Sequence, residues 1–208
     1  MLQLKIIVGS TRPNRASDRV TPWIVDRAKA HGGFEVELLD LRDWPLPMFT
    51  ETIESVGNFA DPTYSDPLVR RWNQTIKTGD AFLLITPEYN HSFPAVLKNA
   101  LDSVFLSSGL RNKPVGFVGY SAGPIAAARA VEHLAHVIIE ADAVPLRNTV
   151  LVGGVSQAIV DGEPTAKASD AALRITLDDL EWWGNALKVA RAQGQLPPGN
   201  ARFRAALA

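Results

Sequence analysis

The stretch LLITPEYNHSFPAVLKNALDSV, residues 83–104, decides the fold. An apolar run ends in a polar turn from Thr86 to Asn90, and a helical pattern starts after Pro94. The apolar run is typical of a strand buried in a parallel sheet, which helices cover on both faces. Ligands of open parallel sheets bind at the carboxyl ends of the strands. The turn therefore predicts a ligand site.

Short apolar runs alternate with amphipathic stretches along the rest of the chain. The strands are predicted at 4–9, 34–41, 81–86, 113–121 and 143–154. The helices are predicted at 17–31, 66–78, 94–107, 124–140 and 169–192. Strands that are each followed by a helix predict an α/β fold with an open five-stranded parallel sheet and helices on both faces. We expect one domain over 1–208, with its core at about 2–193 and a tail at 194–208.

The helical spacing also predicts which side chains face the sheet. Within 94–107 we expect Val96 and Phe105 to be inward and Asn99 outward. Within 169–192 we expect Trp183 to be inward.

Composition narrows the classes of function. The chain has 208 residues, a formal net charge of −1 and no cysteine. The charge gives no reason to expect a nucleic-acid partner, and the lack of cysteine excludes disulfides and thiolate catalysis. No apolar run approaches the roughly 20 residues that span a bilayer, so we expect no membrane partner. The N-terminal residues are typical of a strand rather than a signal peptide, and we expect a cytoplasmic location and no metal site.

The loop after the first strand, GSTRPNRASDR (9–19), combines hydroxyls, arginines and a helix start. It matches neither the nucleoside-triphosphate nor the dinucleotide glycine pattern. Hydroxyl groups, free backbone N–H groups and a helix dipole suit a phosphate monoester. The alternative is a polar loop in which Ser17 is the helix N-cap and the arginines are solvated. The candidate phosphate ligands are Ser10, Thr11, Arg12, Arg15 and Ser17.

The loops after the third and fourth strands supply the other candidates. Pro87 fixes the backbone, so that the residues after it can present N–H and C=O groups to a planar heteroaromatic ring. The alternative is an ordinary turn with a surface tyrosine. After the fourth strand, GYSAGPIAAARA (119–130) could close over the far side of a ligand or be a tight strand–helix turn. The candidates in these loops are Pro87, Glu88, Tyr89, Asn90, Ser121 and Gly123.

The segments VGSTRPNRAS and PEYNHSFPAVLKNALD resemble the two characteristic loops of the NAD(P)H-dependent FMN reductase family, which includes azo-dye, quinone and chromate reductases. The resemblance is good over residues 2–135. It implies a flavodoxin-like three-layer sandwich that binds FMN and takes electrons from NADPH or NADH. It also implies that Ser10, Arg12, Arg15 and Ser17 hold the phosphate, that Pro87, Glu88, Tyr89 and Asn90 line the flavin ring, and that Ser121 and Gly123 lie along its other edge.

The implied activity is hydride transfer from NAD(P)H through FMN to small acceptors such as quinones, flavins or azo compounds. The flavin carries this chemistry, so we expect no catalytic side chain. A flavodoxin-type electron carrier without NAD(P)H turnover is the alternative, and a flavin- or nucleotide-binding regulator without turnover is another. The resemblance also implies a homodimer or homotetramer. Apolar residues in the loop at 44–59 either form its interface or pack against their own domain; they are Trp44, Leu46, Met48 and Phe49.

Overall fold

The computed structural model describes residues 1–57 and 62–207. Its main sheet is parallel, as predicted, and the strand order is β2-β1-β3-β4-β5. The strands are β1 (Leu2–Val8), β2 (Phe34–Asp40), β3 (Ala81–Pro87), β4 (Pro114–Tyr120) and β5 (Val144–Pro145). A further short strand, β6 (Val150–Val152), also pairs with β4. A separate antiparallel hairpin consists of β7 (Ile159–Val160) and β8 (Glu163–Pro164).

Helices cover both faces of this sheet. The main helices are α1 (Ser17–His31), α3 (Pro67–Lys77), α4 (Ala95–Phe105), α5 (Ala128–Glu140) and α7 (Lys167–Ala192). Shorter helices are α2 (Ile53–Val56), α6 (Val155–Ala158) and α8 (Gly199–Ala206). On one face α1 and α7 pack against the sheet, and on the other α3, α4 and α5 do so. This three-layer arrangement confirms the predicted fold class. None of the described helices is long and apolar enough to cross a membrane.

Two predicted boundaries are wrong. The fifth strand is divided into β5 and β6. Pro145 pairs with Val115 and Val150 pairs with Val118, so the outer strand advances five residues while β4 advances only three. The extra residues bulge out of the ladder. The helix predicted from 124 begins only at Ala128, since Ala127 before it has a left-handed φ of 65°.

The predicted inward faces are wrong at four residues. Val96 and Phe105 of α4 are 40% and 47% exposed. Asn99, predicted outward, is buried and donates a hydrogen bond to the Pro47 carbonyl oxygen (2.8 Å). Trp183 is 38% exposed, and Gly184 takes the inward position.

Most of the apolar side chains in the loop at 44–59 lie against their own domain, which is one of the two predicted alternatives. Trp44 packs edge-on against Trp72, with ring centroids 5.0 Å apart, and Phe49 lies 6.4 Å from the ring of Tyr64. Leu46 also packs against the core, whereas Met48 is 74% exposed. Residues 58 and 59 of this loop lie outside the described residues.

Candidate functional site

The carboxyl ends of β1, β3 and β4 form one edge of the sheet, which we call the carboxyl rim. The loop after β1 starts at Gly9, whose N–H donates to the Ile85 carbonyl oxygen (2.8 Å). A Cβ at this position would lie 2.8 Å from Leu97 Cδ2 and 3.1 Å from the same carbonyl oxygen. Only glycine therefore allows the loop to pass this close to β3 and α4.

Most of this loop's backbone donors have no acceptor within the described parts of the chain. The N–H groups without one belong to Ser10, Thr11, Arg12, Asn14, Arg15, Ala16 and Ser17. Ala16 is the N-cap of α1 and provides no capping side chain, so the alternative in which Ser17 is the N-cap is wrong. Asn14 has a left-handed φ of 53°. Successive free N–H groups at the positive end of a helix dipole form an anion-binding concavity.

Two buried hydroxyl groups lie beneath the loop. Ser17 and Tyr120 are 0% and 3% exposed, and neither hydroxyl has a hydrogen-bond partner among residues 1–57 and 62–207. Burial raises the pKa of Tyr120 to about 12, and the nearby Ser17 hydroxyl acts against this rise. Burying a hydroxyl without a partner costs free energy. These two groups therefore fit a site that holds a phosphate with several acceptor oxygens. The sequence-based prediction did not include Tyr120 among the phosphate ligands. Its position as an aromatic residue at the end of the fourth predicted strand was the signal that could have identified it.

Arg15 lies under the loop rather than on its open side. Its guanidinium makes two hydrogen bonds to the Asp40 carboxylate (one at 2.7 Å), and its Nε donates to Asp18 (2.8 Å). It also donates to the carbonyl oxygen of Ser10. The hydrogen bonds with Asp40 raise the pKa of Arg15 further. Burial acts to raise the pKa of Asp40, but the hydrogen bonds from Arg15 and the backbone of Arg42 outweigh it and hold this pKa below its usual value.

Arg12, by contrast, is exposed on the open side of the loop. Its guanidinium carbon lies 3.6 Å from the ring centroid of Tyr89, a cation–π arrangement. The Tyr89 hydroxyl is 2.7 Å from Ser10 Oγ. Tyr89 thus joins the loops after β1 and β3, as the location of both loops at one rim predicts.

The polar turn after β3 has a tight and strained backbone. Tyr89 and Ser92 exchange two backbone hydrogen bonds, of 2.7 and 3.1 Å. The residues between them, Asn90 and His91, have φ values of 50° and 75°. Positive φ at both central positions is the pattern of a type I′ turn, which is unusual without glycine. The turn therefore presents Glu88, Tyr89 and Asn90 in a defined geometry.

Glu88 fixes this turn to α5. Its side chain is 6% exposed and pairs with Arg129, and its Oε2 has no partner in the described part of the protein. The hydrogen bond from Arg129 holds the pKa of Glu88 below its usual value. On the same helix, His133 Nδ1 lies 3.1 Å from Ser92 Oγ. Sequence reasoning missed Arg129, because nothing local marks a partner 41 residues away.

The loop after β4 is held by the loop after β6. The N–H of Ser121 donates to the Val152 carbonyl oxygen (3.0 Å), and the Ser121 hydroxyl donates to the Gly123 carbonyl oxygen (2.9 Å). A Cβ on Gly123 would have no heavy atom of the described residues within 4 Å. The predicted residues of the three loops thus lie at one rim, with Pro87 at the end of β3. Within the described ranges no group of three or more histidine, aspartate or glutamate side chains could hold a metal.

Comparison with known proteins finds similarity to FMN reductases and quinone reductases. The family model of the NADPH-dependent FMN reductases matches residues 2–157. An NAD(P)H-dependent FMN reductase of Schizosaccharomyces pombe is 32% identical over 118 residues, which is 57% of each protein. The chain thus spans less than two thirds of that relative's length. A quinone reductase of Escherichia coli K12 is 31% identical over 182 residues, 86% of this chain and 89% of the relative.

Among solved structures, FerB from Paracoccus denitrificans, a flavoenzyme NAD(P)H:(acceptor) oxidoreductase, has the same fold. Its TM-score is 0.71 at 23% identity, over 89% of this chain and 98% of FerB.

Proposed function

This chain belongs to the NADPH-dependent FMN reductase family, and we propose that it is an FMN-dependent oxidoreductase that uses NAD(P)H to reduce small acceptors such as quinones, flavins or azo compounds. Bound FMN would supply the redox chemistry, since flavins accept hydride from nicotinamides and pass the electrons on. The observation that carries the proposal is the carboxyl rim itself. N–H groups and buried hydroxyls that have no partner among the described residues adjoin a rigid turn that can face a planar ring.

The loop after β1 would hold the FMN phosphate. Ser10, Thr11 and Ser17 would contribute hydroxyl and N–H donors, with the Tyr120 hydroxyl beneath them. Arg12 would add charge from the open side, where its guanidinium is exposed. Arg15 would act mainly as a positioning residue, because Asp40, Asp18 and the Ser10 carbonyl occupy its donors.

The turn after β3 would hold the isoalloxazine ring. Pro87, Glu88, Tyr89 and Asn90 would line it largely through backbone groups, while Ser121 and Gly123 would lie along its other edge. The space around Gly123 is consistent with this role. We assign no general acid or base, because the chain's own part is to bind the ring and orient it.

A flavodoxin-type electron carrier is the main alternative. The net charge of −1 and the arginines in the phosphate loop favour the reductase, since carriers of this kind are typically strongly acidic. The two differ in whether the flavoprotein oxidises NAD(P)H directly.

The test begins with FMN added to the purified protein, followed by gel filtration and a visible spectrum. NADPH or NADH is then added under nitrogen, and a quinone after that. We expect retained flavin absorbance that bleaches with a nicotinamide and returns with the quinone. Retained flavin that neither nicotinamide bleaches would overturn the reductase in favour of the carrier or a regulator.

The matched variants for this test are Arg12→Ala and Arg147→Ala. Both side chains are exposed; Arg12 lies in the phosphate loop and Arg147 lies outside it. We expect the first variant to weaken FMN binding at least tenfold, because an arginine–phosphate hydrogen bond is charge-assisted. The second should leave it within twofold.

Three further features belong to this proposal. We take the chain as one domain over 1–208, with the core at about 2–193 and the tail at 194–208, in which α8 lies. We place it in the cytoplasm, with no nucleic-acid or membrane partner. We also expect a homodimer or homotetramer; light scattering that detected only monomer at micromolar concentration would contradict this.

A further inference from the structure

A second cleft lies at the opposite edge of the sheet, which we call the amino rim. It has a volume of about 690 Å³ and lies where α3 and α4 end and β3 and β4 begin. We call it the basal cleft. Its charged lining residues are Lys77, Asp80, Arg111, Lys113 and Arg191, and its hydroxyl-bearing ones are Thr78, Ser107 and Ser108. β4 has seven residues, so roughly 20 Å separate this cleft from the carboxyl rim.

Among the described residues, cations outnumber carboxylates around the basal cleft. Asp80 is shared between Lys188 (2.7 Å) and Arg191 (3.1 Å). Arg111 is paired with Asp142 (2.9 Å), whereas neither Lys77 nor Lys113 has an ion pair with any residue that the structure describes. The whole chain carries a net charge of −1, so this excess of positive charge is local.

Lys113 is the buried member of this group. It is 6% exposed, and its Nζ donates to the carbonyl oxygens of Lys77 (2.8 Å) and Ile76 (3.4 Å) at the end of α3. Burial is the largest cause that lowers the pKa of Lys113 to about 7. The charges of Arg191, Lys5 and Lys77 lower it further, and only Asp80 acts against them.

Capping of helix ends accounts for only part of this arrangement. Lys113 caps α3 by donating to its terminal carbonyl groups, and Arg191 donates to the Asn112 carbonyl oxygen (2.7 Å). A neutral donor could satisfy the same carbonyls without bringing like charges together. An anion in the cleft would remove the repulsion that the cations now exert on one another.

We propose that the basal cleft is a second binding site, outside the flavin site, for a small molecule that carries a phosphate group. Lys77 and Lys113 would supply charge, Arg191 would add to the positive field, and Ser108 is the nearby hydroxyl donor. The volume lies within the range of about 300–1,000 Å³ that is typical of small-molecule sites. Free phosphate and the phosphates of a nucleotide share the chemistry that this lining would recognise, and the test separates them.

The test uses the FMN-loaded protein, titrated by calorimetry with inorganic phosphate and, separately, with ADP. We expect saturable binding that Lys77→Ser and Lys113→Met each weaken at least fivefold. Lys167→Ser, an exposed lysine on α7 outside the cleft lining, is the matched control and should stay within twofold. Tighter binding of ADP than of phosphate identifies a nucleotide, and equal binding identifies the phosphate group alone. No saturable binding at 10 mM, or equal weakening in the control, overturns the proposal.

A non-titrating anion gives a second, independent readout. Sulfate should raise the pKa of Lys113, so its binding should take up a proton and weaken at least fivefold from pH 6.5 to 8.5. In Lys113→Met this pH dependence should be lost. The same pH dependence in wild type and variant would contradict a role of Lys113. Because FMN is bound throughout, failure here leaves the proposed reductase activity untouched. Retained FMN that neither nicotinamide bleaches would overturn the reductase and leave this titration unaffected.

Discussion

The two rims of the sheet hold charge by different means. At the carboxyl rim the donors are backbone N–H groups of the loop after β1, and α1 directs its positive end towards them. At the amino rim the donors are side-chain cations: Lys113 donates to the carbonyl groups at the end of α3, and Arg191 donates to the Asn112 carbonyl oxygen. Substitutions at the carboxyl rim should therefore act mainly through the shape of the loops, and those at the amino rim through charge.

The largest expected effect comes from Arg15→Met. The substitution leaves Asp40 without its main partner beneath the loop, and loss of one partner of a buried ion pair costs about 3 kcal/mol. We expect that loss of unfolding free energy in urea, together with weaker FMN binding. Arg15→Lys should restore only part of it, because lysine cannot make the same two-pronged contact. Arg12→Ala is the matched arginine, and its unfolding free energy should fall by less than about 1 kcal/mol. Equal losses in both variants would show that the loop does not depend on Arg15 for its shape.

Gly9→Ala tests the shape of the same loop without changing any charge. The added Cβ would meet a backbone oxygen at 3.1 Å and Leu97 at 2.8 Å, so we expect a loss of about 2 kcal/mol. FMN affinity should fall with it. Gly123→Ala is the control on the neighbouring loop, where the added methyl would meet no atom within 4 Å in the part of the chain that the structure describes. Its stability should stay within about 0.5 kcal/mol of wild type. Unchanged stability and FMN affinity in Gly9→Ala would mean that the loop does not require this close approach.

The amino rim is tested by the pH dependence of Lys113→Met. Between the folded pKa of about 7 and the ordinary value of 10.5, the unfolded chain binds more protons at this lysine than the folded chain does. Stability of the wild type should therefore rise with pH in this window, by up to about 1.4 kcal/mol per pH unit. We expect a flatter profile for the variant in urea unfolding from pH 7 to 9.5. Above this range Tyr120 contributes, since its folded pKa of about 12 exceeds its usual value of 10.0. Parallel profiles would show that Lys113 is not held near neutrality.

Local patterns in the sequence predict the fold well and the site in part. Alternation of strands and helices was sufficient for the parallel sheet, and the polar residues after β1 and β3 marked the rim at which their loops meet. Errors arose where packing overrides periodicity. Asn99 turns inward because a distant loop offers its amide a carbonyl partner, and Gly184 replaces Trp183 because Leu2 leaves no space: a Cβ there would lie 2.5 Å from Leu2 Cδ1.

The supporting charges at both rims were beyond local reasoning for a related reason. Arg129 is 41 residues from Glu88, and Arg191 is 111 residues from Asp80, so only the folded chain brings each pair together. A charged residue on an amphipathic helix is ordinarily a solvated one. The helical spacing of α5 and α7 therefore does not distinguish these paired arginines from solvated charged residues on the same helices.

The smallest effect should come from Glu88→Gln, which keeps the shape of the side chain and removes its charge. We expect a loss of about 1 kcal/mol at pH 7, because glutamine can still accept a hydrogen bond from Arg129. The folded pKa of Glu88 is lowered, so the advantage of the wild type is complete above the ordinary pKa of 4.5 and is lost as pH falls through the folded value. Urea unfolding of both proteins from pH 7 to 3.5 measures this difference. A constant difference over that range would mean that the carboxylate charge does not fix the turn to α5. In that case the strained backbone of Asn90 and His91 would be held by the Tyr89–Ser92 hydrogen bonds instead.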